Sequence, residues 1–298
     1  LAARPTAGTA NARDLRALSL SLLQLPTIND ELNHTSAELL GDIRHRIDPL
    51  PELTSLLENA IVDEPPVQIT EGHIIREGYD AQLDQLRTGA SDGRQWIANL
   101  QDSERARTGI KSLKVGFNKV FGYYIEVSKA NLDLVPVDYE RKQTLVNAER
   151  YVTPELKKQE AHVLGSDERS HEMEYEIFVR VRERVAQERE RILSSARAIA
   201  ELDMLVSLAL AAMQNNYTRP ELNNSDQLLI TDGRHPVVER ALVDDLFEPN
   251  DAQLDCQQRQ LLIVTGPNMA GKSTYLRQVA LIALMAQMGS FVPARAAT

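Results

Sequence analysis

Residues 266–273 read Gly-Pro-Asn-Met-Ala-Gly-Lys-Ser and fill every fixed position of the pattern G-x-x-x-x-G-K-[ST]. That pattern constrains the fold more than any other feature of the chain. It works only where a strand delivers a glycine loop into the N-terminus of a helix. The flanks supply candidates for both. Residues 260–265 form an apolar run that predicts a buried strand. Residues 271–288 predict a helix that stops at Gly289. In such a loop backbone amides donate to phosphate oxygens, a lysine reaches the terminal phosphates and a serine hydroxyl ligates Mg²⁺. Gly266, Pro267, Asn268, Met269, Ala270, Gly271, Lys272, Ser273 and Thr274 are therefore the expected triphosphate site, with Lys272 and Ser273 in the catalytic roles and Ser273 on the metal. The rival reading is a bare strand–turn–helix, which has no need of Gly, Lys and Ser together.

A hydrolytic P-loop also needs an acid at the end of a second apolar strand. The 25 residues after Ser273 contain neither Asp nor Glu. The acid is expected beyond Thr298, and this stretch alone is expected to hydrolyse triphosphate poorly or not at all. The first residue is Leu, and both ends read as cuts within a longer protein.

The remainder carries few competing chemistries. One cysteine, Cys256, excludes an intrachain disulfide and fits a reducing, cytoplasmic compartment. No basic-then-apolar leader opens the chain, and every apolar run is broken well short of a membrane span. The six histidines show no metal-ligand spacing. His235, in Asp-Gly-Arg-His-Pro, reads as a structural turn residue or a neighbour of the nucleotide. The net charge of −10 argues against a polyanion partner, but it is unevenly spread. Between Arg105 and Lys158 there are 11 Lys and Arg against 6 Asp and Glu. That segment is either an electrostatic footprint for nucleic acid or an ordinary solvated face.

The secondary-structure pattern changes three times. Residues 13–100 read as mostly helical: 14–25 closed by Pro26, a short amphipathic turn at 35–40, a helix at 50–58, a break at Glu64-Pro65-Pro66, and a helix over 79–100 that Gly89 and Gly93 could kink. Residues 113–117 and 123–127 flank a loop and predict a β-hairpin. Six of the thirteen Phe and Tyr residues lie between Phe117 and Tyr151, inside the basic segment. After the cap signal Thr153-Pro154, apolar residues from Ile177 to Val206 keep helical spacing between faces dense in Glu and Arg. That predicts one long helix, two helices in line, or two ordinary helices broken near Gly165-Ser166. Beyond Asn215 the chain reads as α/β, with a strand at 228–231.

Several of these stretches together resemble the MutS family of DNA mismatch repair ATPases. Thr-Gly-Pro-Asn-Met-Ala-Gly-Lys-Ser-Thr at 265–274 looks like that family's Walker A segment, narrower than a generic P-loop through Asn268 and Met269. Asp-Gly-Arg-His-Pro-Val-Val-Glu at 232–239 is similar to the turn that opens its ATPase domain. Gly-Phe-Asn-Lys-Val-Phe-Gly-Tyr-Tyr-Ile-Glu-Val at 116–127 and Asn-Ala-Glu-Arg-Tyr-Val-Thr-Pro-Glu-Leu at 147–156 resemble its DNA clamp. Two departures stand out: Val146, where many members have Lys, and Ala270, where Gly is common.

The resemblance implies a multidomain, mainly α fold with a helical core and long lever helices, a small β-rich clamp, and the start of a P-loop α/β ATPase domain. Its implied segments are core and ascending lever at 1–105, clamp at 106–153, descending lever at 154–217 and the truncated ATPase domain at 218–298. The mismatch-reading wedge domain, the Walker B acid and the dimerisation helices would lie outside the chain. ATP or ADP with Mg²⁺ would be the cofactors. Mismatched double-stranded DNA, a second copy and a MutL-type protein would be partners, in the cytosol or nucleoid. Phe247 resembles the aromatic that stacks on adenine, or is a core residue. Lys111, Lys114, Asn118, Lys119, Arg141 and Arg150 are the expected contacts to the DNA backbone. A paralogue acting on recombination or branched DNA, and a coiled-coil scaffold without nucleotide affinity, are the competing readings.

Overall fold

Local capping signals set most helix ends. The computed structural model describes residues 3–242 and 246–298. A single turn, α1 (Ala3–Thr6), precedes α2 (Ala12–Leu22). Asn11 and Asp14 form a reciprocal capping box at the start of α2. Pro26 does not end this helix as the sequence suggests. It sits in the first turn of α3 (Leu25–Leu32), where a missing N–H costs nothing. The turn expected at 35–40 runs on into α4 (Glu38–Arg46), and α5 (Pro51–Ala60) begins at its proline. The described chain forms two units, residues 3–34 with 48–195 and residues 35–47 with 196–298.

In the first unit, Asp80 caps α6 (Ala81–Thr108) by accepting from Gln82 N and Leu83 N. Gly89 and Gly93 do not interrupt it. Their smallness lets a neighbouring helix approach: a Cβ on Gly93 would lie 2.4 Å from Val163 Cγ2. The expected hairpin is β1 (Lys114–Asn118) and β2 (Gly122–Ser128). Two further strands, β3 (Glu140–Thr144) and β4 (Ala148–Val152), complete an antiparallel sheet of order β1-β2-β4-β3, with a register shift between Arg141 and Gln143. Thr153 Oγ1 then accepts from Leu156 N and opens α7 (Pro154–Gln187). Gly165 lies inside α7; the break before α8 (Arg189–Gln214) falls at Glu188 instead. There the Glu188 carboxylate takes ion pairs from Arg184 at 2.7 Å and Arg191 at 3.0 Å.

One apolar core joins these pieces. Ile97 and Leu100 from α6, Ile110 and Leu113 before the sheet, Ile125 and Val127 from β2, and Leu156 and Val163 from α7 pack together. Burying each such side chain contributes about 1.5–3 kcal/mol. The sheet is therefore seated on α6 and α7 rather than built around a core of its own.

The second unit contains β5 (Leu228–Gly233), α9 (Pro236–Ala241), β6 (Asn250–Leu254), α10 (Lys272–Gln287) and β7 (Ala296–Ala297). An antiparallel sheet of order β6-β5-β7 packs on α10 through Ile230, Ala252, Ile282 and Val292. The α4 helix belongs here, with Arg46 paired to Glu201 at 2.5 Å. The buried strand expected at 260–265 is not formed. Leu261 is 81% and Ile263 79% exposed, and no described strand pairs with this run. An extended run becomes a strand only when neighbours take up its amides and carbonyls. Of the expected α/β start of a P-loop domain, a loop and a helix are formed and the parallel strand is not.

Candidate functional site

The glycine loop keeps its turn without that strand. Gly271 adopts φ 82° and is the N-cap of α10, with no side chain bonded to the helix's first amides. Gly266 at φ 151° and Met269 at φ 64° give the loop its reversal. Lys272, the first residue of α10, folds its Nζ back to donate to Gly266 O at 2.7 Å and to Pro267 O. The Lys272 ammonium therefore sits in the curve of the loop, beside a helix N-terminus that no side chain caps, a setting that suits an anion.

The second unit holds a cleft of about 890 Å³ at this point. Ala270, Gly271, Lys272 and Thr274 line one side, and Phe247 with Leu246 and Glu248 lines another. Phe247 is half-buried and faces the cleft rather than the core. Gly266, Pro267, Asn268, Met269 and Ser273 are exposed beside the cleft without lining it. His235 does what a turn residue does: its Nδ1 accepts from Val237 N and Val238 N and caps α9. Sequence reasoning missed Tyr275, which lines the cleft and donates from its hydroxyl to Asp251 O at 3.0 Å. Its position three residues after Lys272, on the same helix face, was the available signal.

The six basic-segment candidates fall into two kinds. Lys111, Lys114 and Lys119 are exposed and make no ion pair among the described residues. The hairpin separates them: Lys111 and Lys114 lie at the start of β1, and Lys119 lies in the turn at its other end. Lys129 is also exposed, at the end shared by Lys111, where its backbone amide donates to Asn147 O at 3.1 Å. The pattern did not single it out. The other three have partners within the sheet. Asn118 Oδ1 accepts from Val120 N at 2.8 Å and shapes the turn. Arg150 donates to Glu126 and Gln143, each at 2.9 Å, and stacks 4.2 Å over the Tyr124 ring. Arg141 reaches Glu149 at 3.4 Å while remaining largely exposed.

Beneath this face, buried carboxylates are matched to neutral phenols. Tyr151 donates to Glu149 at 2.6 Å, and burial with that contact pushes its hydroxyl up to about 12. Burial, reinforced by Glu104, likewise raises the Tyr139 phenol. The Arg107 guanidinium beside Asp138 holds that carboxyl below its usual 3.8. Glu104 and Glu149 are thus engaged inward, while Asp138 and Glu140 stay at the surface in ion pairs with Arg107 and Lys142.

Family comparisons match this layout in chain order. The MutS family domain IV profile covers residues 78–169, which include α6, the four-stranded sheet and the start of α7. The MutS domain V profile covers residues 262–298, from the exposed apolar run through α10. Among curated relatives, the DNA mismatch repair protein MutS of Halothermothrix orenii is 55% identical over 98% of this chain and 32% of its own length. The proteins of the same name from Acetivibrio thermocellus and Symbiobacterium thermophilum are 53% and 52% identical over 97% and 100% of the chain. The chain spans about a third of the length of these relatives. With two domain profiles in order and identity above one half sustained from end to end, the chain belongs to the MutS family.

Proposed function

We propose that this chain is the lever, clamp and nucleotide-binding portion of an ATP-dependent DNA mismatch repair protein. One observation carries the nucleotide half: Gly271, Lys272 and Thr274 at the start of α10 line one cleft together with Phe247. A triphosphate has three features to satisfy: Lys272 suits phosphate charge, the helix start phosphate oxygens and Phe247 a flat base. No acidic or histidine cluster among the described residues could hold a metal. Mg²⁺ would be held by Ser273, exposed beside the cleft, together with the nucleotide's own phosphates, as that ion commonly is. When bound, it would neutralise charge on the phosphates.

For DNA, the free lysines 111, 114 and 119 and the exposed Arg141 are suited to backbone phosphates. Arg150 and Asn118 hold the sheet and its turn. Contacts of that kind supply affinity and salt dependence and leave sequence choice to other parts of the protein. The names of the relatives support mismatched double-stranded DNA as the target. A homodimer, a MutL-type partner and a cytoplasmic setting complete the reading. No helix among the described residues is long and apolar enough to cross a membrane.

Substituting Lys272→Ala in the protein that carries this chain tests the site. Loss of a charge-assisted contact of about 2 kcal/mol weakens binding of a labelled ATP analogue roughly thirtyfold. Binding at the original affinity would remove the P-loop from the reading.

A further inference from the structure

The turn between β1 and β2 is bolted to α7 by groups that neither the nucleotide nor the DNA reading uses. Glu160, in the second turn of α7, is only 7% exposed. Its Oε1 accepts from Tyr123 N at 2.9 Å, and its Oε2 accepts from Lys157 Nζ at 2.8 Å. Lys157 lies three residues earlier on the same helix face and also donates to Phe121 O at 2.8 Å. Between those two backbone contacts sits Gly122, at φ 84°. A Cβ there would stand 1.7 Å from Glu160 Oε1. The carboxylate thus fills the space of the missing side chain, and α7 grips the turn by one carbonyl and one amide.

The rest of the joint is apolar. Leu156 and Val163 of α7 share a core with Ile125 of β2. Apolar contact resists separation, but it has no direction and tolerates sliding. A buried carboxylate with two fixed donors does not slide, because losing either donor leaves desolvated charge unpaired. Tyr123 pairs with Phe117 across the hairpin, so fixing Tyr123 N also fixes the end of β1. Lys119 lies two residues beyond Phe117, inside the gripped turn.

We propose that Glu160 is a positioning residue that locks the β1–β2 turn and Lys119 to α7, so that a displacement of that helix is passed to the DNA-facing sheet. The proposal rests on the clamp reading above. Sharing a rigid joint does not by itself establish coupling, so the test must read coupling directly.

Glu160→Ala, Glu160→Gln and Lys157→Ala are compared in the protein that carries this chain. The measurements are melting temperature, affinity for an ATP analogue, affinity for DNA and the rate at which added ATP releases bound DNA. In Glu160→Ala the ATP-triggered release rate changes on the order of tenfold, while analogue affinity stays within about twofold. Glu160→Gln, which keeps an acceptor for Tyr123 N, restores most of the rate. Lys157→Ala gives an intermediate rate; that side chain is 40% exposed, Tyr123 N still donates to Glu160, and the melting temperature falls less than in Glu160→Ala. A release rate unchanged in Glu160→Ala, or a change that Gln does not restore, overturns the proposal. Should Glu160→Ala fail to fold, Lys157→Ala decides, and an unchanged rate there overturns it equally. A joint reversal of Lys111 and Lys114 to Glu separates the two readings. If it leaves DNA affinity and its salt dependence untouched, the clamp reading fails. If it weakens DNA while Glu160→Ala is silent, only the positioning proposal fails.

Discussion

The two units of this chain differ in how their candidate functional elements are seated. In the first, apolar residues from α6, α7 and the sheet close around one another, and the buried carboxylates are each met by donors. In the second, Leu261, Ile263 and Met269 are exposed beside a loop whose helix amides are uncapped. The first unit finds its partners among its own helices and strands, even across 101 positions as between His73 and Glu174. A P-loop strand needs strands from elsewhere in the fold. The first unit therefore closes a core among its own elements, while the second presents its candidate site beside a run that no described strand pairs with.

The comparison would break most clearly at Glu174. This α7 carboxylate is 3% exposed and accepts from His73 N, Ile74 N and Ile75 N at 2.9, 2.6 and 2.9 Å. Arg87 completes the set at 2.7 Å. One side chain thereby ties α6, α7 and the 73–75 loop together. Glu174→Ala strands three amides and a guanidinium, and the expected loss is about 3–5 kcal/mol in urea unfolding. A loss below about 1 kcal/mol would mean that water reaches those amides and that the first unit is less closed than described.

A smaller effect is expected at the crossing of α6 and α7. Alanine is a better helix former than glycine by about 1 kcal/mol, so Gly93→Ala on an open helix would stabilise. Here the new Cβ meets Val163 Cγ2 at 2.4 Å. The expected net result is a loss of about 1–2 kcal/mol, recovered in part by Val163→Ala in the same chain. A stabilised single variant would show that the helices stand farther apart.

Gly93 also marks where sequence reasoning succeeds and where it runs out. Thr153-Pro154 announced the start of α7 because a cap is a local contact. The glycine turn into α10 was legible because Gly266 and Gly271 carry their backbone freedom locally. A glycine in a helical pattern has no such local meaning: Gly89 and Gly93 read as a kink, yet they serve a helix 70 residues away in sequence. Pro26 was misplaced for a related reason, since proline suits a helix start as well as a stop. Glu160 and Glu174 went unnoticed in the sequence pattern. Only the fold brings backbone amides to them. Residues 260–265 failed in the other direction, because strand propensity cannot supply a neighbouring strand.

Acid should weaken the first unit slightly. Asp138 is held below 3.8 by its hydrogen bond to Arg107, and Asp48 by its hydrogen bond to Arg191. A carboxyl depressed by folding adds stability above its unfolded value, and that stability is lost as pH falls through the folded one. Both pairs are partly exposed, so each contributes under about 1 kcal/mol. The melting temperature of the first unit should be flat above about pH 5 and decline below about pH 4, more shallowly at high salt. A decline beginning near neutrality would point to other groups.

The least effect is expected where the second unit is least finished. Ile263 is 79% exposed and lies in a run that no described strand pairs with. In this chain by itself, Ile263→Asp should move stability by no more than about 0.5 kcal/mol, as surface substitutions do. The same charge placed at Ile125, which is 0% exposed in the first unit, would be buried without a partner and should prevent that core from closing. If Ile263→Asp instead costs more than about 2 kcal/mol, the run is covered in solution, and the contrast between a closed unit and an open one disappears. If it is silent here yet destabilises a longer chain that contains this one, the strand required by the P-loop is completed by residues outside this stretch. The contrast then measures how far the site depends on them.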